Sequence, residues 1–289
     1  LIKKPRLIIG ICFILLTGCP EQKDPPPERP PGVRIIPYSG GTQLTEQGIR
    51  AKAGPTNTII IEWEALPSNI VLDRYDVYRS VEPDQNFRRV LSAGGSGLPI
   101  AEDDSVKVDT TYYYYVLAVN SLQVESDVQQ YFESPDSIAV YVQSFTLGSK
   151  VTSLLHPTSI DTVVTTKPTF LWCPGGFPLN YVVRIGIGSI TSPITVWTAS
   201  APLSIFELDC NNEQLREFLT YHDSSYVTQF QQGDSLFARA NEVTIPRNIN
   251  ILKSPRLSKT TYFWRVDAIY GARHASASRW EPFLVNRDY

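Results

Sequence analysis

The sequence predicts an all-β fold built as two tandem sandwiches, the second carrying a partly helical insertion. Three observations lead there. Two stretches, "TTYYYYVLAVN" (110–120) and "TTYFWRVDAIY" (260–270), share the pattern T-x-Y-x-aromatic-x-V-x-A; alternation with period two marks a strand with one buried face. Each is preceded by a Trp-bearing apolar stretch, "TIIIEWEAL" (58–66) and "PTFLWCP" (168–174), and by a Tyr-x-Val stretch, "LDRYDVYR" (72–79) and "LNYVVRIG" (179–186). The composition, with 22 Pro, 17 Gly and 15 Tyr among 289 residues, favours short strands and turns over long helices. The length suffices for two domains with a core each.

The chain opens with Lys3, Lys4 and Arg6, followed by the apolar run "LIIGICFILLTG" (7–18) and Cys19. The run is shorter than the roughly 20 residues needed to span a bilayer and reads as a secretory signal, residues 1–18. Leu16-Thr17-Gly18-Cys19 resembles the bacterial lipobox, the processing site of envelope lipoproteins. That resemblance implies a diacylglyceryl thioether on Cys19, cleavage before it, and acylation (palmitate among the acyl chains) of the new amine. Several chains give stable anchoring, at about 0.8 kcal/mol per buried CH₂. Pro20 stands where Asp would signal inner-membrane retention, so the expected address is the cell envelope, at the outer membrane if the organism has one, on its periplasmic or its surface face. Half of "PEQKDPPPERPP" (20–31) is Pro, which excludes helix and central strand and makes residues 19–31 an anchored, polyproline-II-like tether.

Residues 32–146 form the first expected domain and 147–289 the second. In the first, Ile59, Ile61 and Trp63 share a face, then Tyr75 and Val77, then Tyr112, Tyr114, Val116 and Ala118. In the second, Phe170 and Trp172, Tyr181 and Val183, and Tyr262, Trp264, Val266 and Ala268 take the same places. Trp on the second strand, Tyr-x-Val on the third and this sixth-strand pattern resemble the fibronectin type III family, an immunoglobulin-like β-sandwich. The resemblance implies a tyrosine corner at Tyr112 and Tyr262, each hydroxyl bonding back to upstream backbone.

The second copy is longer. Tyr75 and Tyr112 are 37 residues apart, Tyr181 and Tyr262 81, which places an insertion within about 190–257. Leu215, Phe218, Leu219 and His222 recur with helical spacing in "DCNNEQLREFLTYHD" (209–223), and "EVTIPRNINIL" (242–252) reads as extended. Insertions on a rigid scaffold often carry function, and equally often cover a sheet edge. With Cys12 in the signal and Cys19 acylated, Cys173 and Cys210 remain, a pair that forms a disulfide or stays as two buried thiols.

Little here points to catalysis. His156, His222 and His274 lack metal-ligand spacing, "EDD" (102–104) lacks calcium-loop spacing, and the glycine turns 94–97 and 186–189 complete no phosphate or nucleophile motif. No metal, cofactor or catalytic residue is expected. Removing residues 1–18 takes three of 26 basic side chains and none of 29 acidic ones, moving the net charge from −3 to −6, so nucleic acid is not an expected partner. If Tyr112 and Tyr114 point inward, then Tyr113, Tyr115, Leu117 and Val119 point out, with Tyr78 beside them on the third strand. Such an aromatic outer face marks a binding surface for a protein partner, a glycan or the second domain; the alternatives are cross-strand tyrosine pairing within the domain or cover by residues 128–137. The expected function is a lipid-anchored, non-catalytic envelope protein, held to the membrane by its lipid and acting as a docking or spacer module for another envelope protein. The alternatives are a carbohydrate-binding accessory to glycan enzymes, or an enzyme with its site in the insertion.

Overall fold

The computed structural model describes residues 28–40, 43, 45–128, 142–151, 153–157, 162–163, 169–173, 176–202, 242–244 and 259–286. The signal, Cys19, the 209–223 stretch and Cys210 lie outside the described residues. In domain one, β1 (Arg50–Ala51), β2 (Ile59–Glu62) and β5 (Ile100–Asp103) make an antiparallel sheet in the order β1-β2-β5. Against it stands a second sheet of β4 (Arg88–Gly94), β3 (Arg74–Ser80), β6 (Thr111–Val119) and β7 (Gln143–Leu147), in that order.

Domain two repeats the plan. Its smaller sheet runs β13-β10-β8, from Glu242–Thr244, Thr169–Cys173 and Ser153–His156. Its larger sheet holds β12 (Ser192–Pro202), β11 (Asn180–Ser189) and β14 (Lys259–Gly271). Two successive strands complete it along β14: β15 (His274–Ala277) covers one end and β16 (Glu281–Asn286) the other. β9 (Thr162–Val163) runs parallel to β16. β12 and β13 are sheet strands inside the 190–257 stretch; residues 203–241 between them are not described.

The alternation in the sequence sets both cores. Ile59, Ile61, Trp63, Tyr75, Val77, Tyr112, Tyr114, Val116 and Ala118 are buried together in domain one. In domain two, Phe170, Trp172, Tyr181, Val183, Tyr262, Trp264, Val266 and Ala268 are buried. The repeat extends to ring geometry: Trp63 meets Tyr75 at 5.2 Å between centroids, and Trp172 meets Tyr181 at 5.4 Å. In each half a three-stranded sheet faces the larger one, the sandwich that the repeated Trp and Tyr positions imply. Tyr112 forms its corner, the hydroxyl accepting the Lys107 N–H at 3.0 Å.

The two domains are not separate beads. β7 pairs in parallel with β15, which joins both larger sheets into one of ten strands. Thr146 N–H donates to Arg273 O at 2.8 Å, and Gly148 N–H to Ala275 O at 3.0 Å. Ala275 and Ala277 of β15 belong to the core of domain one, where small side chains let the backbones approach. Gly148 is needed for the same reason: a Cβ there would lie 2.4 Å from the Tyr270 ring. Tyr270 in turn donates to Ser149 O at 2.7 Å and stacks on His274 at 4.7 Å. Lys150 donates to Gly54 O at 2.8 Å and to Thr56 O, while burial, then the Arg265 charge, pull its ammonium down to about 8.

Tyr112→Phe keeps the ring and leaves the half-buried Lys107 amide without its acceptor. It should cost about 1–2 kcal/mol, read in urea as a lower midpoint with an unchanged slope.

Candidate functional site

On the outer face of domain one, the register of β3 with β6 sets Tyr78 opposite Tyr115 and Ser80 opposite Tyr113. Strand pleating turns these side chains away from the core that Tyr75, Val77, Tyr112 and Tyr114 fill. The Tyr78 and Tyr115 rings stack at 4.8 Å and 15°, and Phe87 leans on Tyr115 at 4.9 Å. Tyr78 donates to Glu125 Oε1 at 3.1 Å. Burial, then the Glu125 charge, push the Tyr78 phenol up to about 12, and the same two causes raise Tyr115. Both phenols therefore stay protonated at neutral pH. Tyr78, Tyr113 and Tyr115 are all half-buried.

The structure brings Tyr78 and Tyr115 together and sets Tyr113 one step along the strand, toward the seam with domain two. Tyr113 pairs with Ser144, whose Oγ accepts from Arg273 at 3.3 Å. Leu117 and Val119 also face outward, yet they are 6% and 0% exposed, so the open part of the face is narrower than the alternation implies. Asp76 lies on it too, fully buried. Burial opposes its charge, but Ser92 at 2.6 Å, Arg89 at 3.0 Å and Arg74 at 3.1 Å outweigh that, and its pKa falls below the usual carboxylate range.

Among the described residues, domain two meets the sheet of domain one along β7 and not at Tyr78 and Tyr115. β6 and β7 stand between β3 and the seam. The outer face of domain two is itself covered at Arg184 and Arg265, by Gln43 and Glu46 of domain one. Arg184 and Arg265 lie directly opposite each other on β11 and β14, a repulsive arrangement unless anions intervene. Asp267 supplies one, accepting from Arg184 Nε at 2.6 Å and lying 2.9 Å from Arg265 Nε. Glu46 supplies the other, paired with Arg265 and 3.7 Å from Arg184. Arg184 also donates to Gln43 O at 2.7 Å. Burial works against the Glu46 charge, but Arg265 and Arg184 overcome it and lower its pKa. Sequence reading missed this cluster; two arginines on neighbouring strands beside a lone Asp were its only trace.

Other candidates resolve into structure. Asp103 of the "EDD" stretch, 1% exposed, accepts from Arg79 at 2.7 Å, Tyr114 at 3.0 Å and the Ser105 N–H at 3.1 Å. His274 sits 3.5 Å from Asp109 at the seam, His156 falls on β8, and His222 lies outside the described residues. Cys173 is on β10, and its expected partner Cys210 is not described. Among the described residues no group of three His, Cys, Asp or Glu side chains is placed to hold a metal ion. A cleft of about 790 Å³ opens between the 45–55 segment and the β11–β12 hairpin, with Arg265, Trp280 and Ile194 in its walls. Of its cations, Arg50 is paired with Glu62 and Lys52 with Glu102.

No protein-family model and no curated protein matches the chain. Among solved structures it is similar to the FN1–FN3 domains of chicken CNTN1, at 14% identity over 89% of this chain and 67% of that one, with a TM-score of 0.31. A two-domain fibronectin type III segment of chicken tenascin is 11% identical over 82% of this chain and 97% of that one, with a TM-score of 0.25. The central fibronectin III array of RIM-binding protein is 13% identical, covers 83% and 68%, and has a TM-score of 0.23. The fold itself rests on the strand order and register above.

Because the Glu46 pKa is depressed on folding, its contribution is whole above its unfolded value and is lost as pH falls through the folded one. Glu46→Gln should lower stability near pH 7 by about 2 kcal/mol and flatten the acid limb of a melting-temperature series below about pH 4.5. An unchanged acid limb would assign the acid sensitivity to other carboxylates.

Proposed function

We propose that this chain is a lipid-anchored, non-catalytic cell-envelope protein that docks a protein partner through the outer face of domain one. The observation that carries the reading is the aromatic strip of Phe87, Tyr78, Tyr115 and Tyr113, half-buried on the outer sheet face of domain one. Aromatic side chains supply large contact area at low entropic cost and are enriched at the centres of protein interfaces. The geometry fits a protein partner better than a sugar. Tyr78 and Tyr115 turn their faces to each other, whereas a stacked sugar needs an open ring face. The seam between the domains supports the spacer half of the reading, since it makes both sandwiches one body.

The anchor is the second part of the proposal and rests on Leu16-Thr17-Gly18-Cys19 and the Pro-rich stretch after it. The thiol accepts the diacylglyceryl group, and the tether carries the sandwiches clear of the headgroups. Cys19→Ala should abolish metabolic labelling with palmitate and move the chain from the membrane to the soluble fraction. Labelled, membrane-bound Cys19→Ala protein would refute the anchor.

The docking face has its own test. Tyr115→Ser should cost about 1 kcal/mol of stability by removing ring stacking. It should also reduce the partner recovered by crosslinking on intact cells about tenfold. Identical recovery from a folded Tyr115→Ser/Tyr78→Ser chain would rule the face out.

A further inference from the structure

Three loops meet at one end of domain one, and Asp73 ties them together. It lies in the connection from β2 to β3, and its N–H donates to Val119 O at 2.8 Å, at the end of β6. Its carbonyl accepts from Gly95 at 3.0 Å, in the connection from β4 to β5. Its carboxylate accepts from Gln123 at 3.1 Å, in the turn after β6. Each loop presents an aliphatic side chain to solvent: Val71 is 79% exposed, Leu98 78% and Leu122 68%. Single exposed aliphatics are ordinary, but three on converging loops form a surface.

Several backbone groups in the loops are paired. Ile70 N–H bonds Pro67 O, Gly97 N–H bonds Gly94 O, and Gln123 N–H bonds Asn120 O; Leu122 and Val124 N–H groups bond the Asn120 side chain at 3.0 and 2.9 Å. Nearby acids are answered as well: Asp73 by Arg74 at 2.8 Å and Asp127 by Arg29 at 2.5 Å. An end with these polar groups paired and three aliphatic tips exposed is suited to an interface between water and hydrocarbon, where apolar side chains can enter and many backbone groups already have partners.

The chain enters the structure at this same end. Asn120 Nδ2 donates to Glu28 O at 3.0 Å, and Arg29 holds Asp127. The nine residues from Cys19 to Glu28 span at most about 30 Å. Domain two joins at the other end of β6, where Thr111 pairs with Thr146 and Thr146 with His274.

We infer that this loop end rests on the bilayer, with Val71, Leu98 and Leu122 entering the headgroup region, so that domain two points away from the membrane. The inference rests on the anchored reading above. A short tether fixed beside the three tips keeps them at the surface, and shallow insertion of apolar side chains adds to the hold of the acyl chains. The aromatic strip, on the side of the same domain, is left facing along the membrane.

Hydrogen exchange tests the orientation. The full chain, acylated in cells and reconstituted in vesicles of phosphatidylethanolamine and phosphatidylglycerol, is compared with its Val71→Ser/Leu98→Ser/Leu122→Ser variant. Residues 66–73, 95–99 and 120–124 should exchange about tenfold more slowly in the parent chain, while the 187–194 hairpin behaves alike in both. Equal exchange at the three loops, in a chain whose flotation with vesicles requires Cys19, overturns the orientation and leaves the anchor standing. Protection of the 187–194 hairpin instead overturns it too. Flotation unaffected by Cys19→Ala removes the anchor and the orientation together.

Discussion

The parallel pairing of β7 with β15 is the constraint on which the rest of the molecule depends. Each sandwich has an edge strand, β7 in the first and β15 in the second, that alone would leave backbone donors and acceptors unpaired, an invitation to association with other chains. Here the two open edges satisfy each other. The join is more than hydrogen bonding, because Ala275 and Ala277 of the second domain close the core of the first. A strand shared between two cores couples their stabilities: loosening β15 exposes Phe145 and Leu147 as well as Val266.

The buried charges follow from that join. Once β15 lies against β7, the outer face of β11 and β14 comes under Gln43 and Glu46, and Arg184 and Arg265 lose access to water. Arginine does not shed its proton, so each needs an anion. Two cations, Arg184 and Arg265, meet two anions, Asp267 and Glu46, and the cluster is neutral as a whole. Burial on its own lowers the Arg265 pKa, but Asp267 and then Glu46 more than reverse it, and the net shift is upward. Such a cluster contributes less to stability than to specificity. It is satisfied in one docking geometry, and a slipped seam leaves a buried guanidinium without its partner.

Much of each sandwich was legible because it depends on spacing along the chain. Period-two alternation named the buried faces of β2, β3 and β6 and of β10, β11 and β14, and the matching Trp and Tyr positions showed that one plan is used twice. Tyr112 and its upstream amide are five residues apart, so the corner is a local feature. The seam was illegible for the opposite reason. Glu46 reaches Arg265 across 219 residues of sequence, and nothing in either stretch names the other. The outer face was read in part: alternation set Tyr78 and Tyr115 on it, but could not say that Leu117, Val119 and Asp76 beside them are covered. The stretch "EDD" lacks calcium-loop spacing in the sequence, and its Asp103 turns out to be the acceptor for Arg79 and Tyr114.

Residues 148–151, which would be a swivel in a string of separate modules, are clamped from both sides. Tyr270 holds Ser149 and Lys150 holds the 54–56 loop. Bending between the modules therefore demands rupture rather than rotation, and the pair behaves mechanically as a strut. A pull applied to domain two runs into the seam along the strand axes. Load in that direction is shared by the hydrogen bonds as shear and does not peel them one at a time.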